Sequence, residues 1–456
     1  MTSLPASSPV FTGDFRTSFT RLVAPPSVAR VFSLMGPRGA GTPKLNHFDW
    51  LMSLVYHALA GAGTFAHHVL MLTGVTLSDA ALSQRKASFG WELLSTLLPD
   101  VLRPLADPAL HPDCFHKGLR LAALDGVRFH LRNTGAINAG TRKARSGKDG
   151  SPCAYALMLC SVLVELGTHC PLAVSLSWQD DGELTLARDI IPAIPGSTLL
   201  LADRLYGSPW LLWELGPALQ QNGSHFLVRV KDNLKVQRQR RLDDGSWLVS
   251  VAVTDPSTGK KTGSLILREI HATMHVEGEA TPRTVRLWTS LLDAAEHPAL
   301  VLVGLYTTRW EEELFFRELK THVHGADSLL HAQTVESAAM EVMALLLAAA
   351  VLAGQRLGVA AEAGVPALKI SLAQVREQSL ALFEILEAGR GLLSRAQQAE
   401  ITRRVLLRLT LTALIKPRKK RSCQRALRQP IKSWPKMRTP TSRYPVVKII
   451  ITGLNP

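Results

Sequence analysis

The chain has 456 residues, 46% of them hydrophobic, and a formal net charge of +15 at pH 7. That length exceeds one simple core and predicts two to four domains with ample apolar material for their interiors. The positive field favours a polyanion such as DNA or RNA. The longest apolar run, Val342 to Ala353, falls short of the about 20 residues that span a bilayer, which argues against a membrane partner.

Residues 1–42 are rich in Pro, Ser, Gly and Thr with few periodic apolar positions, and predict a flexible arm. The first twenty residues lack the apolar core of a signal peptide. Five cysteines (Cys114, Cys153, Cys160, Cys170, Cys423) form no CxxC pair and no zinc spacing, as expected of reduced thiols in a cytoplasmic protein. Residues 43–118 read as helical: Phe48, Leu51, Leu54, Val55 and Leu59 recur at helix spacing. After Gly74, Thr76 or Ser78 can cap a helix that bears Arg85 and Lys86. Helix, short turn and basic helix are compatible with a helix-turn-helix on DNA. An ordinary helical bundle with a polar face fits the same residues.

From Leu119 the texture changes to strands. Leu119 to Leu131 is an apolar run holding Asp125, and Asp is depleted in strand interiors. An Asp-Gly turn is the competing reading. Gly140 to Ser151 is a basic loop, and Ala154–Val164 and Cys170–Trp178 are further strands. Leu184 to Ile191 is a short helix, and Ser197 to Ala202 is a buried strand ended by Asp203 and Arg204. Pro209 to Gln220 is a helix with Pro near its first turn, and Phe226 to Val230 is a fifth strand. This order, with one acid on the first strand and another after the fourth, describes an α/β, ribonuclease-H-like mixed sheet over residues 119–230 and 299–357.

Residues 231–298 predict a β insertion before the helix that begins near Tyr306, with strands Trp247–Val253, Ser264–Ile270 and Arg283–Trp288. Tyr306 to Lys320 (YTTRWEEELFFRELK) has no Gly or Pro and reads as one helix. On a wheel of about 100° per residue, Tyr306, Arg309, Glu313 and Lys320 share one narrow stripe. Two cations and a phenol can hold phosphate oxygens. A carboxylate among them points to an intervening divalent cation, hence to metal-assisted phosphodiester chemistry. On spacing alone, a solvated amphipathic helix accounts for the stripe too. Val335 to Leu357 is a strongly apolar helix. Residues 358–415 form a helical carboxy-terminal region, with helices at Leu368–Leu386 and Ser394–Leu411 that could pair subunits. Residues 416–456 form a basic tail: Lys416 to Arg438 holds ten Lys or Arg, Arg418, Lys419, Lys420 and Arg421 among them, and no acid. His116, His322, His324 and His331 show no metal-site spacing. Absence of GxSxG, P-loop and strand-linked GxGxxG leaves acyl transfer and nucleotide hydrolysis unsupported.

The spacing Tyr306, Arg309, Glu313, Lys320 resembles the signature of cut-and-paste DDE transposases of the insertion-sequence-four type, and RWEEELFFRELK, ELGTHCPLAVSLSW, GELTLARDIIPAIPGSTLLLADRLYGS and HFLVRVK are similar to that family's core. The resemblance covers roughly Leu121 to Val351. It departs from the family at Gly126-Val127, where Gly-Thr is usual, and at Arg204-Leu205, where Arg-Gly is usual. The resemblance implies a catalytic triad of Asp125, Asp203 and Glu313 holding two Mg²⁺ ions, with Mn²⁺ as a substitute. It implies Tyr306, Arg309, Lys320 and Arg204 on the DNA, and a helical amino-terminal domain (with Arg85 and Lys86) on the transposon ends. An insertion tryptophan, Trp288 before Trp247, would stack on a flipped base, although a core tryptophan is the competing reading of each. A homodimer on double-stranded DNA, strand cleavage via a hairpin, strand transfer to target DNA and a nucleoid-associated bacterial location follow from the same resemblance. Two rivals stay open: a transposase-derived DNA-binding protein without catalysis, and a metal-dependent nuclease that never joins strands.

Overall fold

Helices open the chain, the longer ones being α1 (Phe15–Leu22), α2 (Pro25–Ser33), α3 (His47–Ala60), α4 (Phe65–Thr73) and α5 (Asp79–Ala87). Three strands follow, β1 (Leu119–His130), β2 (Leu157–Glu165) and β3 (Cys170–Ser177), then α6 (Glu183–Ile190), β4 (Thr198–Ala202), α7 (Pro209–Gln221) and β5 (His225–Arg229). Next come β6 (Gln237–Arg241), β7 (Trp247–Thr254), β8 (Lys261–Val276) and β9 (Arg283–Thr289). The chain continues through α8 (Ala299–Thr307), α9 (Trp310–Glu318), α10 (Val335–Ala363), α11 (Leu372–Ala388), α12 (Arg395–Thr412) and β10 (Val446–Ile451). Short helices of four to six residues, turns and two-residue strands connect them. This computed structural model describes residues 11–34, 44–89, 91–142, 145–146, 151–152, 155–179, 181–276, 282–323, 329–415 and 446–451. The class is α/β, and three strands, a helix, a strand, a helix and a strand succeed one another along the chain in the ribonuclease-H-like order.

The chain divides into two compact units, Met1–Leu199 with Arg309–Ile415, and Leu200–Thr308 with Lys416–Pro456. In the first, β1 pairs antiparallel with β2 and β2 with β3. One apolar core joins Phe15 and Phe19 of α1, Trp50 of α3, Phe129 of β1, Val162 of β2, Phe315 of α9, Leu346 of α10 and Phe383 of α11. The amino-terminal helices are therefore part of the unit that carries β1 to β3 and not a separate domain, contrary to the 43–118 boundary. The arm expected over 1–42 is corrected too, because α1 and α2 lie within it. Asp14 caps α1 by accepting from the Thr17 N–H at 2.7 Å, and Phe15, Phe19 and Leu22 bury one face. α10 is long and apolar enough to cross a membrane by composition, yet most of it is buried inside this unit. It runs past Leu357 because Val359 and Ala360 find a second cluster around Ile370 and Leu382. A side chain on Gly358 would stand 2.4 Å from the Phe11 nitrogen, so the close approach of chain and helix requires glycine there.

In the second unit β5, β9, β8, β7 and β6 lie side by side in that order, antiparallel. β8 is longer than its predicted core, and β10 pairs with it, Ala272 opposite Ile451. The tail reading of 416–456 thus fails at its end, where a β-branched run, VVKIII, supplies a strand. The sequence reading also lacked β6: QRQRR does not alternate, because all five residues are exposed.

Glu269 of β8 is buried. Burial pushes its carboxyl up, but hydrogen bonds from His271 (2.8 Å), Trp288 Nε1 (2.8 Å) and Arg286 Nε (2.7 Å), with the Arg286 charge, hold it down at about 2. A depressed carboxylate contributes stability that is present above the unfolded value of about 4.5 and lost as pH falls through about 2. Urea midpoints measured from pH 6 to 2 are expected to fall over that window, and Glu269→Gln should flatten the fall. An equal slope in the variant would remove Glu269 from the account.

Candidate active site

Asp125 lies inside β1, opposite Val162 of β2, so Asp-Gly here is strand and not turn. Its neighbour Gly126 has a structural reason. A Cβ built on it would stand 2.5 Å from Cδ of Glu183, in the first turn of α6. Glu183 therefore packs on the backbone beside Asp125, an acid that sequence reasoning did not single out. Gly126→Ala is expected to displace Glu183 or β1 and to cost about 1–3 kcal/mol, measurable as a lowered urea midpoint. An unchanged midpoint would mean that the Glu183 side chain yields freely.

The stretch Tyr306 to Lys320 is not one helix. α8 stops at Thr307, α9 starts at Trp310 with Arg309 as its cap residue, and Leu319–Val323 forms a π turn. Thr307 and Thr308 explain the break: their hydroxyls donate back to the carbonyls of Gly304 (2.6 Å) and Leu305 (2.7 Å) and compete with the helical ladder. Tyr306, in α8, is buried, and Arg309, Glu313 and Lys320 follow the break, so the four signature residues do not lie on one continuous helix.

Within the first unit, α9 and β1 bring three predicted residues together. Arg309 donates to Glu313 Oε1 at 2.9 Å and stands 3.6 Å from Asp125 Oδ2. Two carboxylates about 190 positions apart in sequence thus share one guanidinium. Lys320 Nζ lies 5.8 Å from the ring centre of Phe129 on β1, and burial lowers its pKa. The third predicted acid, Asp203, follows β4 in the second unit, where its Oδ1 accepts from the Leu205 N–H at 2.7 Å, and Arg204 beside it is exposed.

The donor chemistry fits a hard divalent cation, since Asp125 and Glu313 offer carboxylate oxygens to a single cationic position. Among the described residues, no group of three His, Cys, Asp or Glu stands close enough to hold an ion. Of the three expected carboxylates, Asp125 and Glu313 belong to the first unit and Asp203 to the second.

Several expected DNA contacts are placed otherwise. Trp288 is fully buried and its ring N–H donates to Glu269, so the core reading holds and stacking on a flipped base does not fit it. Trp247 is half-buried under the Arg238 guanidinium, 4.9 Å from its ring centre. Arg85 donates to the Leu45 carbonyl at 2.6 Å and lies over Phe89, which makes it a structural tie. Burial lowers the pKa of half-buried Lys86. Ser78, not Thr76, caps that helix. Arg418, Lys419, Lys420 and Arg421 lie outside the described residues.

A family model for the transposase DDE domain matches residues 116–351, just over half of the chain. The chain belongs to that family of DDE transposases. It is 26% identical over 274 residues to the transposase InsG for insertion sequence element IS4 of Escherichia coli K12, a match to 60% of this chain and 60% of that relative's length. The DDE transposase of insertion-sequence-four type inferred from the Tyr-Arg-Glu-Lys spacing agrees with both findings. A cryo-EM structure of the piggyBac transposase synaptic complex with hairpin DNA aligns over 90% of this chain and 87% of that one, at 13% identity and a TM-score of 0.40.

Proposed function

We propose that this chain binds the ends of a mobile DNA element, cleaves their phosphodiester bonds with a divalent cation, and transfers the strands to target DNA. The observation that carries the proposal is the convergence of Asp125 and Glu313 on Arg309 inside a matched transposase domain. Asp125, Asp203 and Glu313 would hold Mg²⁺, with Mn²⁺ as a substitute. A bound ion would lower the pKa of an attacking water or 3′-hydroxyl and stabilise charge on the leaving oxygen. The guanidinium of Arg309 neutralises two carboxylates at rest and, once released, is suited to bidentate grip on phosphate oxygens. Lys320 supplies a second, partly desolvated cation, and Tyr306 and exposed Arg204 are further phosphate contacts. The net charge of +15 supports duplex DNA as the partner. A dimer holding two ends, a hairpin intermediate and a bacterial cytoplasmic location complete the reading.

Incubation of the protein with an end-containing duplex and Mg²⁺ tests it, and nicking at the element end is expected. Binding without nicking would favour a non-catalytic DNA-binding descendant. Products from a pre-nicked end joined to target DNA exclude a nuclease that only hydrolyses.

A further inference from the structure

His169 lies in the tight turn between β2 and β3, with its backbone in the left-handed region at φ +58°, an arrangement that a non-glycine residue holds only when its surroundings enforce it. The surroundings are specific. The His169 N–H donates to the Glu165 carbonyl at 2.9 Å, and the Thr168 hydroxyl donates to the Glu165 side chain at 2.5 Å. The buried Glu165 carboxylate also accepts from the backbone of Leu105 and Ala106. The turn is thus fastened from behind, and the His169 ring, 5% exposed, is presented to α9.

There it meets three residues of one helix face. Nδ1 is 2.7 Å from Glu318 Oε2, Nε2 is 3.2 Å from Glu311 Oε2, and the ring lies edge-on to Phe315 at 6.3 Å. Arg356, buried in α10, donates to the other Glu318 oxygen at 2.6 Å. Both carboxylates are thus turned to His169, and no local spacing distinguishes them. Glu313 projects from the same helix roughly 140–160° round its axis from this gripped face. A helix held on one side cannot roll. A roll of about 20° would carry a carboxylate some 5–6 Å from the axis through about 2 Å, several times the about 0.5 Å that a working site tolerates.

We propose that His169 is a positioning residue of the transposase reaction: by bridging Glu311 and Glu318 on the back of α9, it sets the direction in which Glu313 faces Asp125. The proposal rests on the reading of Asp125 and Glu313 as cation ligands. His169→Asn tests it, because Asn accepts the left-handed backbone but is too short to bridge two carboxylates. The readout is Mn²⁺ bound by the protein on an end-containing duplex, followed by electron paramagnetic resonance, beside the Mn²⁺ concentration for half-maximal nicking. Both half-saturation values are expected to rise about tenfold, as for other residues that orient ligands, with duplex affinity near wild type and the chain still cooperatively folded at the assay temperature. An unshifted Mn²⁺ half-saturation in a folded His169→Asn chain overturns the proposal. Should that variant not fold, Glu311→Ala at the half-exposed end of the bridge decides. A rise of a few fold supports the proposal, and no rise overturns it. A wild-type chain whose Mn²⁺ binding ignores Glu313→Gln overturns the underlying reading as well, and is seen before any His169 variant is compared.

Discussion

Glu313→Gln is expected to keep duplex binding within about twofold of wild type and to lower strand cleavage on the order of a thousandfold or more, equivalent to about 4 kcal/mol of transition-state stabilisation. The glutamine has the same shape, and its amide oxygen can still accept the Arg309 N–H that now reaches Glu313 at 2.9 Å. What disappears is the charge. A neutral amide is a poor ligand for a hard divalent cation, and it leaves Asp125 as the sole anionic partner of Arg309 in this pair. Asp125→Asn should behave alike, and the double variant should lose little more than either single one, because residues acting as a unit are not additive. Gel-shift titration and a nicking assay on the same preparations separate the two readouts. Cleavage retained by Glu313→Gln would take Glu313 out of the machinery, and loss of duplex binding would show that its charge mainly holds α9 in place.

The residues that could be read from the sequence are those whose chemistry contradicts their setting. Asp125 interrupts an apolar strand, and Glu313 sits among cations at a spacing that matches a known signature, so both stand out in the sequence. Their shared contact with Arg309 is as local as that spacing suggests for Glu313, and as distant in sequence as only a sheet could achieve for Asp125. Trp288 was less legible. β9 is buried on both faces from Val285 to Thr289, so an inward-outward alternation could not tell that Trp288 is covered. The first two helices were hidden by the Pro, Ser and Gly around them, although Phe15, Phe19 and Leu22 carry a short apolar stripe. The helices of 43–118 were visible as helices. That they share a core with β1 to β3 was not, since an amphipathic face states that it needs a partner without naming it. The grip of His169 on Glu311 and Glu318 joins positions about 140 to 150 apart, and no local pattern announces it.

The largest loss of stability in the second unit is expected from Arg268→Ala. Arg268 is fully buried in β8. Its guanidinium pairs with Asp244. Nε donates to Ser246 Oγ at 2.8 Å, and Nη1 donates to the His297 carbonyl at 2.6 Å, with the Leu291 and Asp293 carbonyls further off. Asp244 in turn accepts the Ala299 N–H at 2.7 Å, the first residue of α8. Removing the guanidinium leaves the half-buried Asp244 carboxylate and the buried Leu291 and His297 carbonyls without their cationic partner, and the cost of breaking such a pair is about 3 kcal/mol, the lower end for a buried one. Asp244→Ala should cost a similar amount and also loosen the start of α8, visible as faster hydrogen exchange of the Ala299 amide. Since either change breaks the same pair, the double variant should lose clearly less than the sum of the two, with a coupling of the order of 1–3 kcal/mol. Urea unfolding of the four proteins measures all three quantities. A loss below about 1 kcal/mol in Arg268→Ala would mean that water enters the site and replaces the guanidinium, as it does at exposed ion pairs. In that case α8 is held by its apolar residues, Ala299, Leu302 and Val303, and not by the ion pair at its first turn.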